Sequence, residues 1–327
     1  MKKIVVAPDS FKGSLTSAEV ADAVERGIKD VFPQCNVVKA GVADGGEGTV
    51  EAIVKAVGGD MYAASVTDPL GRPVKAAYGI VRSGGVKTAV MEMSAASGLP
   101  LLLPDELNPW ITSTYGTGEM ISDALNRGCR KFLVGIGGSA TNDAGTGMLS
   151  ALGVRFLDSR GQRLKGCGRD LESIARIDMS SLMPAARESE FIVACDVNTP
   201  FCGPDGAARV FAPQKGANPQ TTEALDRGMR SFAQVIAGQF QTDIVPLSGA
   251  GAAGGLGGAF KAFLNARLTA GIEMVLDAIA FDSLLEGADL VITGEGRIDS
   301  RRSPEACRTE RNPRHRHRRV RGNVPGA

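Results

Sequence analysis

Short apolar runs, each ending in a loop of Gly, Asp, Ser and Thr, recur along this chain and constrain its fold more than any other feature. Residues 4–7 are a short, continuous apolar run, 132–136, 191–195 and 290–293 are mostly apolar runs of strand length, and 36–42 reads as a further strand. Such runs are the pattern of strands buried on both faces. Between them the apolar spacing is helical. Thr16 and Glu19 form a capping box before Val20, Val24 and Ile28, and helices are expected over 50–57, 117–127, 146–152, 221–236 and 259–264. Strand and helix in alternation give an α/β fold with a mostly parallel, Rossmann-like sheet. Residues 61–93 break the alternation. Three β-type runs separated by Gly71-Arg72-Pro73 and Ser83-Gly84-Gly85 read as an antiparallel meander. The meander implies a second, mixed-sheet α/β domain with a cleft between the two. The expected division is residues 1–60 with 285–300, then 61–284, with the join near 60 and the return near 285.

The strand-ending loops are acidic as well as glycine-rich: Asp9-Ser10-Phe11-Lys12-Gly13-Ser14, Asp44-Gly45-Gly46-Glu47-Gly48-Thr49, Gly137-Gly138-Ser139-Ala140-Thr141-Asn142-Asp143, Asp196, and Gly294-Glu295-Gly296-Arg297-Ile298-Asp299. In open α/β sheets the ligand crevice lies at the carboxyl ends of the strands, and loops that only stabilise the fold do not call for so many acids there. Phosphoryl transfer needs backbone N–H groups for phosphate, carboxylates for a divalent cation, a cation for developing charge, and a base. Gly137, Gly138, Ser139 and Thr141 could cradle phosphate at a helix start, although a structural turn reads equally well. Six glycines in residues 249–258, among them Gly251, Gly254 and Gly255, cost chain entropy that a ligand loop would justify. Lys12 and Lys215, each in a loop beside Gly, are the candidate cations. Asp196 at a strand end is the first choice of base and Asp44 the second. Asp196, Asp143 and Glu295 are candidate Mg²⁺ ligands, with helix capping as the alternative for Asp143 and Asp44. Asp9, Ser10 and Lys12 are candidates for holding substrate, and Glu295 and Gly296 for holding nucleotide. There is no Gly-x-x-x-x-Gly-Lys-Ser/Thr motif, and no dinucleotide fingerprint follows a strand.

Taken in order, these segments resemble the bacterial glycerate kinase family that makes 2-phosphoglycerate. The matching motifs run through residues 7–15, 42–49, 91–99 (Met91-Glu92-Met93-Ser94), 116–119, 135–143, 194–197, 213–217 (Pro213-Gln214-Lys215-Gly216-Ala217), 249–258 and 291–300. The resemblance implies a two-domain α/β enzyme that phosphorylates D-glycerate with ATP and Mg²⁺ in the inter-domain cleft. Alternatives are a kinase for another small hydroxy acid such as tartronate or erythronate, or a remnant that only binds nucleotide. Three positions depart from the family pattern. Ala144 and Ala212 stand where the family has Gly, which a negative φ would tolerate. Asn198-Thr199-Pro200 has its Asn one place early.

Charge and cysteine usage narrow the setting. Of 37 basic and 36 acidic residues, nine and two fall in 301–327, leaving residues 1–300 at −6 and the tail at +7. An acidic body argues against nucleic acid as a partner. Cys35, Cys129, Cys167, Cys195, Cys202 and Cys307 lack any C-x-x-C pairing, and five of them are expected as reduced thiols of a cytoplasmic protein. No apolar run suits a signal peptide or a membrane span.

After Ser300 the resemblance stops. The tail carries Arg314-His315-Arg316-His317-Arg318-Arg319 with no apolar periodicity, and the expectation is a disordered, non-native segment, low stability and weak or absent activity. We read it as a frameshift: codons that encode this stretch can, one base on, encode an apolar strand. Translating the gene in all three frames should reveal a helix-and-strand continuation in another frame. Its absence from every frame would refute the reading.

Overall fold

The computed structural model describes residues 1–11, 14–43, 45–46, 48–83 and 85–294. The tail therefore lies outside the described residues. In chain order the elements are β1 (Lys3–Val6), α1 (Ser17–Val31), β2 (Asn36–Lys39), α2 (Thr49–Val57), β3 (Gly59–Thr67), β4 (Pro73–Ser83), β5 (Val86–Glu92) and α3 (Ser94–Ser97). They continue with α4 (Tyr115–Asn126), β6 (Lys131–Gly135), α5 (Thr146–Ala151), β7 (Arg155–Leu157), β8 (Arg176–Asp178), α6 (Pro184–Arg187), β9 (Glu190–Ala194) and α7 (Ala207–Phe211). The last are α8 (Pro219–Phe240), α9 (Ala252–Leu264), β10 (Arg267–Thr269), α10 (Gly271–Ala278), α11 (Phe281–Leu285) and β11 (Leu290–Ile292).

Two main sheets result. A three-stranded sheet, β11-β1-β2, is parallel throughout, and a six-stranded sheet runs β10-β9-β6-β5-β4-β3. In the larger sheet β5, β6, β9 and β10 are parallel, while β3, β4 and β5 form the expected meander. A small antiparallel pair, β7-β8, stands apart.

The apolar runs of β6 and β9 explain why the larger sheet is covered on both faces. Successive strand side chains point to opposite faces. Phe132 and Val134 of β6, with Phe191 and Val193 of β9, belong to the larger core, to which α4, α5, α8 and α9 contribute. The alternate residues Leu133, Ile192 and Ala194 face a second core with Val50, Ile53 and Val54 of α2 and Met274 and Val275 of α10. Phe132 stacks on Phe191 at 4.7 Å between ring centroids, and Phe260 of α9 approaches Phe191 at 5.8 Å. Burial of each such side chain contributes about 1.5–3 kcal/mol.

Several element ends differ from the sequence pattern for identifiable reasons. Helix α8 starts before the expected 221 because Asn218 caps it, accepting a hydrogen bond from the Thr221 N–H at 2.8 Å, and Pro219 suits the first turn; it runs on to Phe240. The α9 segment begins seven residues earlier than expected. Its first turn is not regular: Ala253, Gly254 and Gly255 all have positive φ before the helix proper.

The capping box on α1 is present as read. Thr16 Oγ1 accepts from the Glu19 N–H, and the Glu19 carboxylate accepts from the Thr16 N–H at 2.8 Å. Thr16→Ala should therefore lower stability by about 1 kcal/mol and Thr16→Gly by only a few tenths, measured as shifts in the urea midpoint. Equal losses for the two would contradict the cap.

Candidate active site

Glycine lets five chain segments meet at one end of the larger sheet. Gly45, with φ +83°, sits against the ends of β6 and β9. A Cβ built on it would lie 2.6 Å from the Ala194 side chain and 3.0 Å from the Gly271 Cα. A Cβ on Gly135 would lie 2.4 Å from the Gly45 carbonyl oxygen. Any side chain at either position would force the segments apart.

Hydrogen bonds fix the rest of the convergence. Asp196 follows β9 and is exposed, and its carboxylate accepts from the Gly271 N–H at the start of α10, at 2.9 Å. Glu92 at the end of β5 accepts from the Val50 N–H at the start of α2, at 3.2 Å. The Pro8 carbonyl accepts from the Val42 N–H, tying the end of β1 to the loop that follows β2. Asp9 accepts from the Ser10 N–H at 2.6 Å, and its own N–H donates to the Gly294 carbonyl beyond β11. Gly137 and Gly138 are exposed after β6, and a Cβ on Gly137 would reach the Gly46 Cα at 3.9 Å.

Beneath that glycine turn lies a buried polar cluster. Lys215 is 1% exposed, and its ammonium nitrogen donates to Ser139 Oγ at 2.6 Å and to the Thr141 carbonyl at 2.7 Å. Burial pulls its pKa down to about 7, opposed by the nearby Asp143 charge. A neutral amine has two N–H donors, and the structure supplies two acceptors. Asp143 is fully buried and accepts from the backbone of Thr114 (2.7 Å), Gly145 (3.0 Å) and Gly147 (3.2 Å) and from the Thr114 hydroxyl (2.8 Å). Burial raises its pKa, and these hydrogen bonds pull it back. The two side chains anchor residues 139–147 from below.

The structure thus sorts the candidates. Asp9, Ser10, Gly137, Gly138 and Asp196 lie at strand ends. Ser139, Thr141, Asp143 and Lys215 form the support. Lys215 is buried rather than facing out of its loop as its setting beside Gly suggested, and the Asp143 carboxylate is taken up by backbone donors and the Thr114 hydroxyl. Gly251, Gly254 and Gly255 are buried, and packing alone accounts for their lack of a side chain. A Cβ would stand 2.1 Å from the Pro200 carbonyl, 2.2 Å from the Thr141 carbonyl and 2.8 Å from the Ala144 Cα respectively. The condition set for Ala144 is not met, since its φ is +51°; Ala212, at φ −66°, satisfies it. A left-handed Ala costs on the order of 1 kcal/mol, tolerated here because its N–H donates to the Gly254 carbonyl. Lys12, Asp44, Glu295 and Gly296 lie outside the described residues.

Sequence reasoning did not single out Glu92 or Gly271. Glu92 shared the signal of the other strand-end acids, whereas Gly271 had none beyond preceding an apolar helix. Among the described residues no group of three or more His, Cys, Asp or Glu side chains could hold a metal ion. That is compatible with Mg²⁺, which is commonly held by one or two carboxylates and substrate phosphates. Exposed Asp196 suits such a site; buried, saturated Asp143 does not. No described helix is long and apolar enough to cross a membrane.

The glycerate kinase family model matches residues 4–305. Similar proteins include a glycerate kinase of Bacillus subtilis (strain 168), 50% identical over 298 residues that cover 91% of this chain and 78% of that protein. A glycerate 2-kinase of Escherichia coli (strain K12) is 47% identical over the same shares. Among solved structures, one assigned as a glycerate kinase 2 from Salmonella typhimurium LT2 is 48% identical with a TM-score of 0.88, covering 92% of this chain and 80% of that one.

Lys215 gives the cluster a pH signature. The unfolded chain holds this proton up to about 10.5 and the folded chain releases it near 7, so unfolding takes up a proton between those values. Its contribution to stability should rise with pH across that window by on the order of 1 kcal/mol per pH unit and be flat below it. Denaturation midpoints at pH about 7.5 and 9.5 should show the wild type gaining on Lys215→Met. Parallel pH dependence in the two proteins would contradict the assignment.

Proposed function

The chain belongs to the glycerate kinase family, and from that premise we propose that it transfers the γ-phosphoryl group of ATP to the 2-hydroxyl of D-glycerate, giving 2-phosphoglycerate in the cytoplasm. The observation that carries the proposal is the meeting of the segments after β2, β5, β6 and β9 with the start of α10 at one sheet end. Acids and open backbone from distant parts of the sequence then face one crevice, as ligand sites in α/β sheets do.

In this reading each group has a physical task. The exposed Gly137-Gly138 turn offers backbone N–H groups to the donor's phosphates, and Ser139, Thr141 and Lys215 hold that turn in shape from beneath. Lys215 therefore acts by positioning. Lys12 supplies the cation for developing charge, and Asp9, Ser10 and Lys12 hold the substrate. Asp196 is the proposed base, with Asp44 as second choice; the Gly271 N–H orients its carboxylate. Asp196 and Glu295 would hold Mg²⁺, which when bound neutralises phosphate charge. Glu295 and Gly296 complete the nucleotide side. The division into 1–60 with 285–300 and 61–284 belongs to the same proposal.

Asp196→Asn keeps an oxygen to accept from Gly271 but removes the base, so kcat in an ADP-release assay with D-glycerate should fall by about 10²–10⁴, with the unfolding midpoint unchanged. Full activity in that variant would refute the base assignment. Tartronate or erythronate turned over faster than D-glycerate would refute the substrate.

A further inference from the structure

A second cleft shares no residue with the strand-end loops, although its Ser113 lies 3.5 Å from the Asp143 carboxylate. An open cleft of about 640 Å³ lies between the β3–β4 turn, the segment leading into α4, and the loop between β7 and β8. That volume is in the range of small-molecule sites. Its floor is apolar, from Pro69, Leu70, Ile111 and Leu164, and the Tyr115 ring stands half-exposed at the rim.

Arg163 and Lys165 form the opposite wall, both exposed, with no acidic partner among the described residues. The nearby acids are already engaged. Asp68 accepts from Arg72 Nε at 2.5 Å and from two backbone N–H groups, and Asp170 lies 3.9 Å from Arg169. The cleft is therefore cationic on a body of net charge −6. Ser150 also lines the cleft, its hydroxyl sealed from solvent and without a hydrogen-bond partner among the described residues. Buried hydroxyls without a partner are uncommon in proteins.

We infer that this cleft binds a nucleoside phosphate, its base on the apolar floor beside Tyr115 and its phosphates on Arg163 and Lys165. A bare inorganic anion would use the cations but leave the apolar floor unoccupied, and a neutral apolar ligand would leave the cations unmatched. The inference does not depend on which residues carry out phosphoryl transfer at the strand ends.

The chain's one tryptophan, Trp110, adjoins the cleft, and its carbonyl accepts from the Arg169 N–H at 2.9 Å. Its fluorescence is the readout, with ADP and inorganic phosphate as the probes. ADP should give a saturable change, and phosphate should bind at least tenfold more weakly. The double variant Arg163→Ala/Lys165→Ala should weaken ADP at least tenfold with an unchanged unfolding midpoint. Arg160→Ala, outside the cleft, and Asp196→Asn should leave the response as in wild type. A response to ADP that survives the double variant, one that Asp196→Asn abolishes, equal affinity for phosphate, or no response at all would each overturn the site. Because the probe titration involves no turnover, failure of the kinase reading would leave this result standing.

Discussion

The contact between the Gly45 backbone and the ends of β6 and β9 is the constraint on which the rest depends. With a Cβ on Gly135 only 2.4 Å from the Gly45 carbonyl, and one on Gly45 only 2.6 Å from the Ala194 Cβ and 3.0 Å from the Gly271 Cα, there is no room for a side chain at either glycine. Real Cβ atoms are not found that close, so the loop after β2 reaches the larger sheet only because both positions are glycine. The Pro8 carbonyl and Val42 N–H then bring the end of β1 to the same place. Without that contact the strand ends of the two sheets would not be brought together.

Below the crevice the electrostatics are of a different kind. Lys215 and Asp143 are removed from water, and each is matched by oriented hydrogen-bonding groups. Buried charges left unmatched are strongly destabilising, so this cluster holds residues 139–147 to one arrangement. The exposed Gly137-Gly138 turn above it is thereby a rigid platform, which suits a site that works by positioning.

Much of the framework was legible in the sequence because it rests on local patterns. The Thr16–Glu19 box, the meander around Arg72 and the continuous apolar runs of β6 and β9 are each set by neighbouring residues. The crevice at the strand ends is an expectation from topology. Long-range packing was not legible. Nothing around Lys215 announced that its side chain would be buried, and a glycine-rich run reads the same whether it meets a ligand or, as at Gly254, a neighbouring carbonyl. Ala144 illustrates the same limit, its left-handed φ being imposed by its contact with Gly254.

The convergence can be tested without turnover by hydrogen exchange, comparing free protein with protein holding a non-hydrolysable ATP analogue and D-glycerate. Exchange should slow together in peptides covering residues 8–17, 42–50, 136–143 and 195–200, which are far apart in sequence. Protection confined to one of those peptides, or absent from all of them, would contradict a shared crevice.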